Sequence, residues 1–86
     1  GDNTDGCYNL GILYANGEGV TKDFSKSNEL YKKACDGGDA KGCNNLGVSY
    51  DNGRGVERDL AKAKELYKRA CNNGSKSACD NFKSLN

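Results

Sequence analysis

The fold of this chain is decided by the stretch LGILYANGEGVTKD, residues 10–23, which returns as LGVSYDNGRGVERD at residues 46–59. Around it, residues 7–42 and 43–78 align without gaps, and 18 of the 36 aligned positions carry the same residue. Residues 79–86 match the start of a third copy. Self-similarity at this period is the signature of repeat proteins, so we expect one repeat domain over all 86 residues.

Each copy contains two segments in which apolar and small residues recur at helical spacing. In the first copy, positions i, i+3, i+4 and i+7 are occupied in this way from Cys7 to Tyr14 and again from Ser27 to Ala34. We call the two segments helix A and helix B. Asn-Gly pairs follow helix A and an aspartate precedes helix B, which is typical of helix ends and N-caps. The pattern predicts no strand and five helices, near residues 3–16, 24–36, 40–52, 60–72 and 76–85.

The bulk composition argues against several classes of partner. The net charge is +1, and no predicted face carries enough charge to indicate nucleic acid or a membrane surface as a partner. No apolar run approaches the length of a membrane span, and no signal peptide is visible. The chain lacks an initiator Met and starts within a repeat, so we expect a processed or excised piece, or an engineered repeat fragment.

The repeated residues carry a family resemblance. The pattern L-G-x-x-Y-x-x-G-x-G-V-x-x-D, with helix B ending in Y-K-K-A-C or Y-K-R-A-C, resembles the Sel-like repeat family, a relative of tetratricopeptide repeats. The cysteine pairs narrow the resemblance to its cysteine-rich secreted branch, the Helicobacter cysteine-rich protein type. This resemblance implies an all-α, right-handed αα-hairpin solenoid of two repeats and a closing helix, linked by disulfides, with a role in protein interaction.

The cysteines support that interpretation. Five cysteines in 86 residues indicate an oxidising compartment, so we expect a secreted or periplasmic protein. Cys35 closes helix B and Cys43 lies about one turn into the next helix A, and a tight turn between antiparallel helices brings such positions together. Cys71 and Cys79 repeat the arrangement. We therefore predict the disulfides Cys35–Cys43 and Cys71–Cys79.

The sequence lacks the motifs that usually accompany zinc binding or redox catalysis by cysteine. A zinc site usually has four converging ligands, commonly from C-x-x-C motifs or histidines. Redox catalysis by cysteine usually uses a C-x-x-C motif. This chain contains no C-x-x-C motif and no histidine. We expect no metal and no cofactor. The cysteine that would pair with Cys7 by the repeat falls before Gly1, outside the sequence, so Cys7 is predicted to be a buried unpaired thiol. The alternative is pairing between chains; otherwise we expect a monomer.

The resemblance also suggests where a protein or peptide partner binds. In tetratricopeptide-like superhelices, one face of helix A lines the concave groove that contacts peptides. The alternative for each residue is plain solvent exposure. The partner-binding candidates on that face are Asp5, Tyr8, Ile12, Ala15, Lys41, Asn44, Val48, Asp51, Ser77, Asp80 and Ser84.

A second hypothesis is enzymatic. Members of the cysteine-rich branch have been associated with penicillin-like ligands and weak β-lactamase activity, so the resemblance carries that possibility. The chain contains no S-x-x-K, S-D-N, K-T-G or G-x-S-x-G motif and no histidine. Its acidic residues converge by no spacing that indicates a catalytic pair. We therefore predict no catalytic residue and expect a binding scaffold.

Overall fold

A computed structural model of the protein describes residues 4–85. The chain forms α1 (Thr4–Asn16), α2 (Phe24–Asp36), α3 (Ala40–Asn52), α4 (Leu60–Asn72) and α5 (Lys76–Ser84). The odd-numbered helices are the A helices and the even-numbered ones are the B helices. No strand occurs in this part of the chain. The predicted all-α solenoid is confirmed, and the helix limits differ from the sequence pattern by at most one residue.

Short polar side chains begin the helices. Asp23 Oδ1 accepts a hydrogen bond from the Lys26 backbone nitrogen, and Asp59 Oδ1 does the same with that of Lys62, each over 3.0 Å. Asp39 and Ser75 cap α3 and α5 in the same manner. These contacts satisfy amides that have no partner inside the helix, and each stabilises its helix by about 1 kcal/mol.

Within each repeat, helices A and B approach closely because helix A presents a glycine. A methyl group at Gly47 would lie 2.8 Å from the Tyr67 ring, and one at Gly11 would lie 2.7 Å from the Tyr31 ring. Each tyrosine ring therefore packs directly against the backbone of its partner helix. Tyr67 is only 1% exposed, and it is the largest of the fully buried side chains.

The Tyr67 hydroxyl is held by an acidic side chain of the same repeat. It donates a hydrogen bond to Asp51 Oδ2 over 3.0 Å. Burial, this hydrogen bond and the negative charge of Asp51 all raise the pKa of Tyr67 above its ordinary value. The neutral phenol is therefore the form that the fold stabilises.

Two disulfides join each B helix to the next A helix. Cys35 is bonded to Cys43, with their Cα atoms 4.5 Å apart, and Cys71 is bonded to Cys79, with a Cα separation of 4.6 Å. The first bridge is almost completely buried, and it lies in an apolar cluster with the side chains of α4 and α5. The second bridge is only half-buried. The first bridge is thus part of the core between the repeats.

The second repeat also packs against both ends of α2. Near its start, the turn after α3 places Gly55 so close to Phe24 that a methyl group at Gly55 would lie 2.8 Å from the Phe24 Cβ. Asn28 Nδ2 donates to the carbonyl oxygen of Arg54 over 2.6 Å in the same region. At the other end of α2, Arg69 Nη2 donates to the Cys35 carbonyl oxygen over 3.3 Å. These contacts fix the orientation of one repeat on the other.

The difference in burial predicts an order of reduction for the disulfides. Under a mild reductant, Cys71–Cys79 should open before Cys35–Cys43, because a thiol reagent reaches the half-buried bridge more easily. Replacing Cys35 and Cys43 together by alanine should lower the free energy of unfolding by about 2.5 kcal/mol, from the entropy of closing a short loop. Mass spectrometry of non-reduced digests measures the order, and urea unfolding measures the stability. Simultaneous reduction of both bridges would contradict the burial argument.

Two glycines at the same repeat position predict opposite effects of one substitution. A methyl group at Gly42 would lie 2.8 Å from the Ala34 Cβ and 2.9 Å from the Cys35 backbone nitrogen, whereas one at Gly6 would meet nothing within 4 Å. Gly42→Ala should therefore lower the free energy of unfolding by about 1–3 kcal/mol. Gly6→Ala should raise it by about 0.5–1 kcal/mol through helix propensity. Equal urea midpoints for the two variants would refute the close approach of α2 and α3.

The raised pKa of Tyr67 predicts a loss of stability at alkaline pH. An unfolded tyrosine loses its proton near pH 10, roughly its ordinary pKa, while folded Tyr67 keeps its own. The Tyr67 contribution is therefore complete below about pH 10, and it declines as the pH rises further. We expect the free energy of unfolding to fall more steeply above that pH in the parent than in Tyr67→Phe. Both proteins should carry Cys7→Ser to prevent thiol exchange; parallel pH curves would contradict the prediction.

Candidate partner-binding face

A pocket of about 190 Å³ lies between α1 and α3, over α2. Three of the partner-binding candidates, Ile12, Ala15 and Val48, line it and form an apolar wall shared by the two A helices. All three are partly exposed. Partly exposed apolar side chains around a pocket are typical of surfaces that contact a partner.

The other residues that line the pocket include two aromatic side chains of helix B and one turn residue, which the sequence pattern did not place there. They are Phe24, Tyr31 and Arg54. Phe24 has two cations near its ring, because Lys22 Nζ is 5.0 Å and Arg54 Cζ is 5.9 Å from the ring centre. The aligned repeats did contain one signal of Arg54, since the same turn position carries Glu18 in the first copy.

Three further candidates of α1 and α3, which do not line the pocket, make contacts between helices. The Tyr8 ring centre is 6.0 Å from that of Tyr31, and Lys41 Nζ lies 5.1 Å from the Tyr8 ring centre. Asn44 Oδ1 accepts a hydrogen bond from Asn81 Nδ2 over 3.1 Å, which connects α3 with α5. These contacts link α1 with α3, and α3 with α5.

Other candidates have different surroundings. Asp51 is used within its own repeat, through the hydrogen bond from Tyr67. Ser77, Asp80 and Ser84 are exposed on α5 and do not line the pocket. The side chain of Asp5 lies outside the described residues. The structure thus brings three of the candidates together around the pocket, whereas Asp51 is used within its own repeat and the α5 candidates do not line the pocket.

The described side chains offer little for metal or covalent chemistry. Between residues 4 and 85, no group of three or more His, Cys, Asp or Glu side chains is placed to hold a metal ion. Cys7 is half-buried and has no disulfide partner in this part of the chain. None of the helices described is both long enough and apolar enough to cross a membrane. The pocket lined by Ile12, Ala15 and Val48 is therefore considered as a site for binding rather than as a metal or covalent centre.

Solved structures with the same fold are similar over nearly the whole chain. A Sel1 repeat protein from Oxalobacter formigenes superposes with a TM-score of 0.94 at 32% identity, over 96% of this chain and 34% of its own. Helicobacter pylori cysteine rich protein B gives 0.88 at 38% identity, over 92% of this chain and 59% of its own. This chain therefore spans only about a third to three fifths of those two relatives.

A third structure is a protective antigen present in uropathogenic Escherichia coli strains, with a TM-score of 0.85 and 39% identity over 87% of this chain and 16% of its own. No curated protein matches the chain by sequence. The profile of the Sel1 repeat matches twice in succession, at residues 4–39 and 40–75. These two matches cover most of the chain, which therefore belongs to the Sel1 repeat family.

Proposed function

We propose that this protein is a scaffold that binds a segment of another protein on its helix A face. Sel1 repeat proteins are generally scaffolds for protein interactions. The observation that carries the proposal is the pocket between α1 and α3, where Ile12, Ala15 and Val48 leave apolar surface partly uncovered.

The size of the pocket favours a peptide over a small molecule. Sites for drug-sized ligands commonly measure roughly 300–1,000 Å³. A pocket of about 190 Å³ is smaller than that, and it suits one or two side chains of an extended segment. The rest of such a segment would run along the face, past Tyr8 and Lys41 on one side of the pocket.

The compartment follows from the cysteines. Two disulfides and the likeness to Helicobacter pylori cysteine rich protein B indicate an oxidising, extracytoplasmic compartment. We place the scaffold in the periplasm or outside the cell, where its partner would also be found. In that environment Cys7 is the residue through which two copies could become linked, and without that link we expect a monomer.

The β-lactamase hypothesis gains no specific observation. The pocket contains the hydroxyl groups of Ser27, Tyr31 and Ser49 but no histidine, lysine or carboxylate that could act as a base beside them. Ser27 Oγ instead donates a hydrogen bond to the Gly11 carbonyl oxygen over 2.8 Å. We therefore propose binding without catalysis, and we expect no turnover of a chromogenic β-lactam.

A peptide selection tests the proposed binding face. Peptides selected from a random displayed library on the parent protein should lose at least about tenfold in affinity for Ile12→Lys and Val48→Lys, because a lysine would fill the pocket with a charged chain. The matched control is Leu60→Lys, an identical change at a residue that is 43% exposed and lies outside the pocket. Binding to this control should equal binding to the parent.

The selection can also refute the proposal. Peptides that lose affinity for Leu60→Lys and keep it for both pocket variants would place binding on another face. Failure to select any peptide that saturates the parent protein would argue against a peptide-binding scaffold. Circular dichroism of each variant shows that the helices remain folded, so that lost binding can be assigned to the surface.

A further inference from the structure

The two repeats differ in the hydrogen-bond partner of their equivalent buried tyrosines. In the second repeat, Tyr67 donates its hydroxyl hydrogen to Asp51 Oδ2 over 3.0 Å. In the first repeat, the equivalent tyrosine is Tyr31, and the position of Asp51 is occupied by Ala15. The alanine side chain has no acceptor, and the Tyr31 hydroxyl has no hydrogen-bond partner among residues 4–85. The first repeat thus lacks the carboxylate that the second repeat supplies for itself.

The space that a carboxylate at position 15 would occupy is part of the pocket between α1 and α3. Both Ala15 and Tyr31 line it, and Tyr31 is otherwise buried, with an exposure of 5%. The Tyr31 hydroxyl is not one of the fully enclosed polar atoms without a partner, so solvent can reach it, and a ligand that accepts its hydrogen bond would replace that solvent contact. The contact between Tyr67 and Asp51 shows the geometry in which this fold places a carboxylate beside the tyrosine.

The charge of the pocket agrees with this chemistry. Arg54 lines it, and no aspartate or glutamate does. Within the described part of the chain, Arg54 has no ion-pair partner. Its guanidinium group lies near the Phe24 ring and is available to a ligand at the pocket rim. An unpaired arginine and an unpaired hydroxyl that line the same pocket favour an anionic acceptor.

We propose that this pocket binds the side-chain carboxylate of an aspartate or glutamate in an acidic peptide segment. Tyr31 donates a hydrogen bond to the carboxylate and Arg54 pairs with its charge, so that the ligand takes the place that Asp51 occupies in the second repeat. An aliphatic neighbour in the same segment packs against Ile12 and Val48. This assignment rests on the proposed function of the helix A face and specifies the partner that it recognises.

The inference predicts a preference among three peptide pools. Each pool contains acetylated, amidated tetrapeptides of the form X-Leu-Z-X, where X is a mixture of residues and Z is Glu, Gln or Lys. The Glu pool should bind at least about tenfold more tightly than the Gln pool, because a charged hydrogen bond contributes more than a neutral one. The Lys pool should bind least. Titrations followed by ¹H–¹⁵N NMR detect this weak binding at the amides of Ala15, Tyr31 and Arg54.

Variants locate the carboxylate. Ala15→Asp gives the first repeat the acidic residue of the second, and it should abolish binding of the Glu pool while keeping the helices intact. Tyr31→Phe and Arg54→Gln should each weaken that binding severalfold. The matched control is Tyr67→Phe, which removes the same hydroxyl from the second repeat and should leave binding unchanged. Arg54 is exposed, so its variant tests the inference even if a change at Tyr31 destabilises the fold.

Three results would overturn this assignment. Equal binding of the Glu and Gln pools would show a groove that does not recognise charge. Equal binding of the Glu pool and a Gln pool with a free carboxyl terminus would show recognition of chain ends instead of side chains. The absence of binding by every pool would exclude the acidic segment as ligand. In each case the displayed-library selection decides separately whether the helix A face binds peptides.

Discussion

The buried Cys35–Cys43 disulfide is the contact on which the relation between the two repeats depends. Its sulfur atoms lie in an apolar cluster with Ala70 and Ala78, which come from the next two helices along the chain. A chain of 86 residues can bury only a limited core, and the fully buried apolar residues here are mainly alanine, cysteine and tyrosine. A covalent link in that cluster replaces the large aliphatic side chains that a bigger domain would use.

The two repeats have the same backbone fold and differ in the side chain that lies beside the buried tyrosine. The second repeat closes its tyrosine pocket with its own Asp51, whereas the first leaves the corresponding space open beside Ala15. The second repeat also covers part of the first, through the turn that contains Arg54 and packs on α2. The open pocket is therefore a composite of both repeats. A single repeat would contain neither its full wall nor its cation.

The helices and their caps could be predicted because they depend on local spacing. The pocket could not be predicted in full, because it combines residues of α1, α2, α3 and the turn that follows α3. Helical spacing predicts that Tyr31 is a core residue. Its proposed binding role depends on the alanine at position 15, whose side chain offers no acceptor. Asp51 reads as a groove residue, yet it lies within reach of Tyr67. Both positions depend on how the rings pack between helices, Tyr31 against Gly11 and Tyr67 against Gly47.

The close contact between Gly55 and Phe24 limits how this surface can diversify. Loops usually accept insertions at small cost in free energy. Here the turn backbone touches the start of α2, so added residues would lift the turn away and remove the hydrogen bond from Asn28 to Arg54. The rim of the pocket consequently has a fixed length. In related scaffolds, specificity would therefore change through the side chain between Gly53 and Gly55, while the length of the turn stays the same.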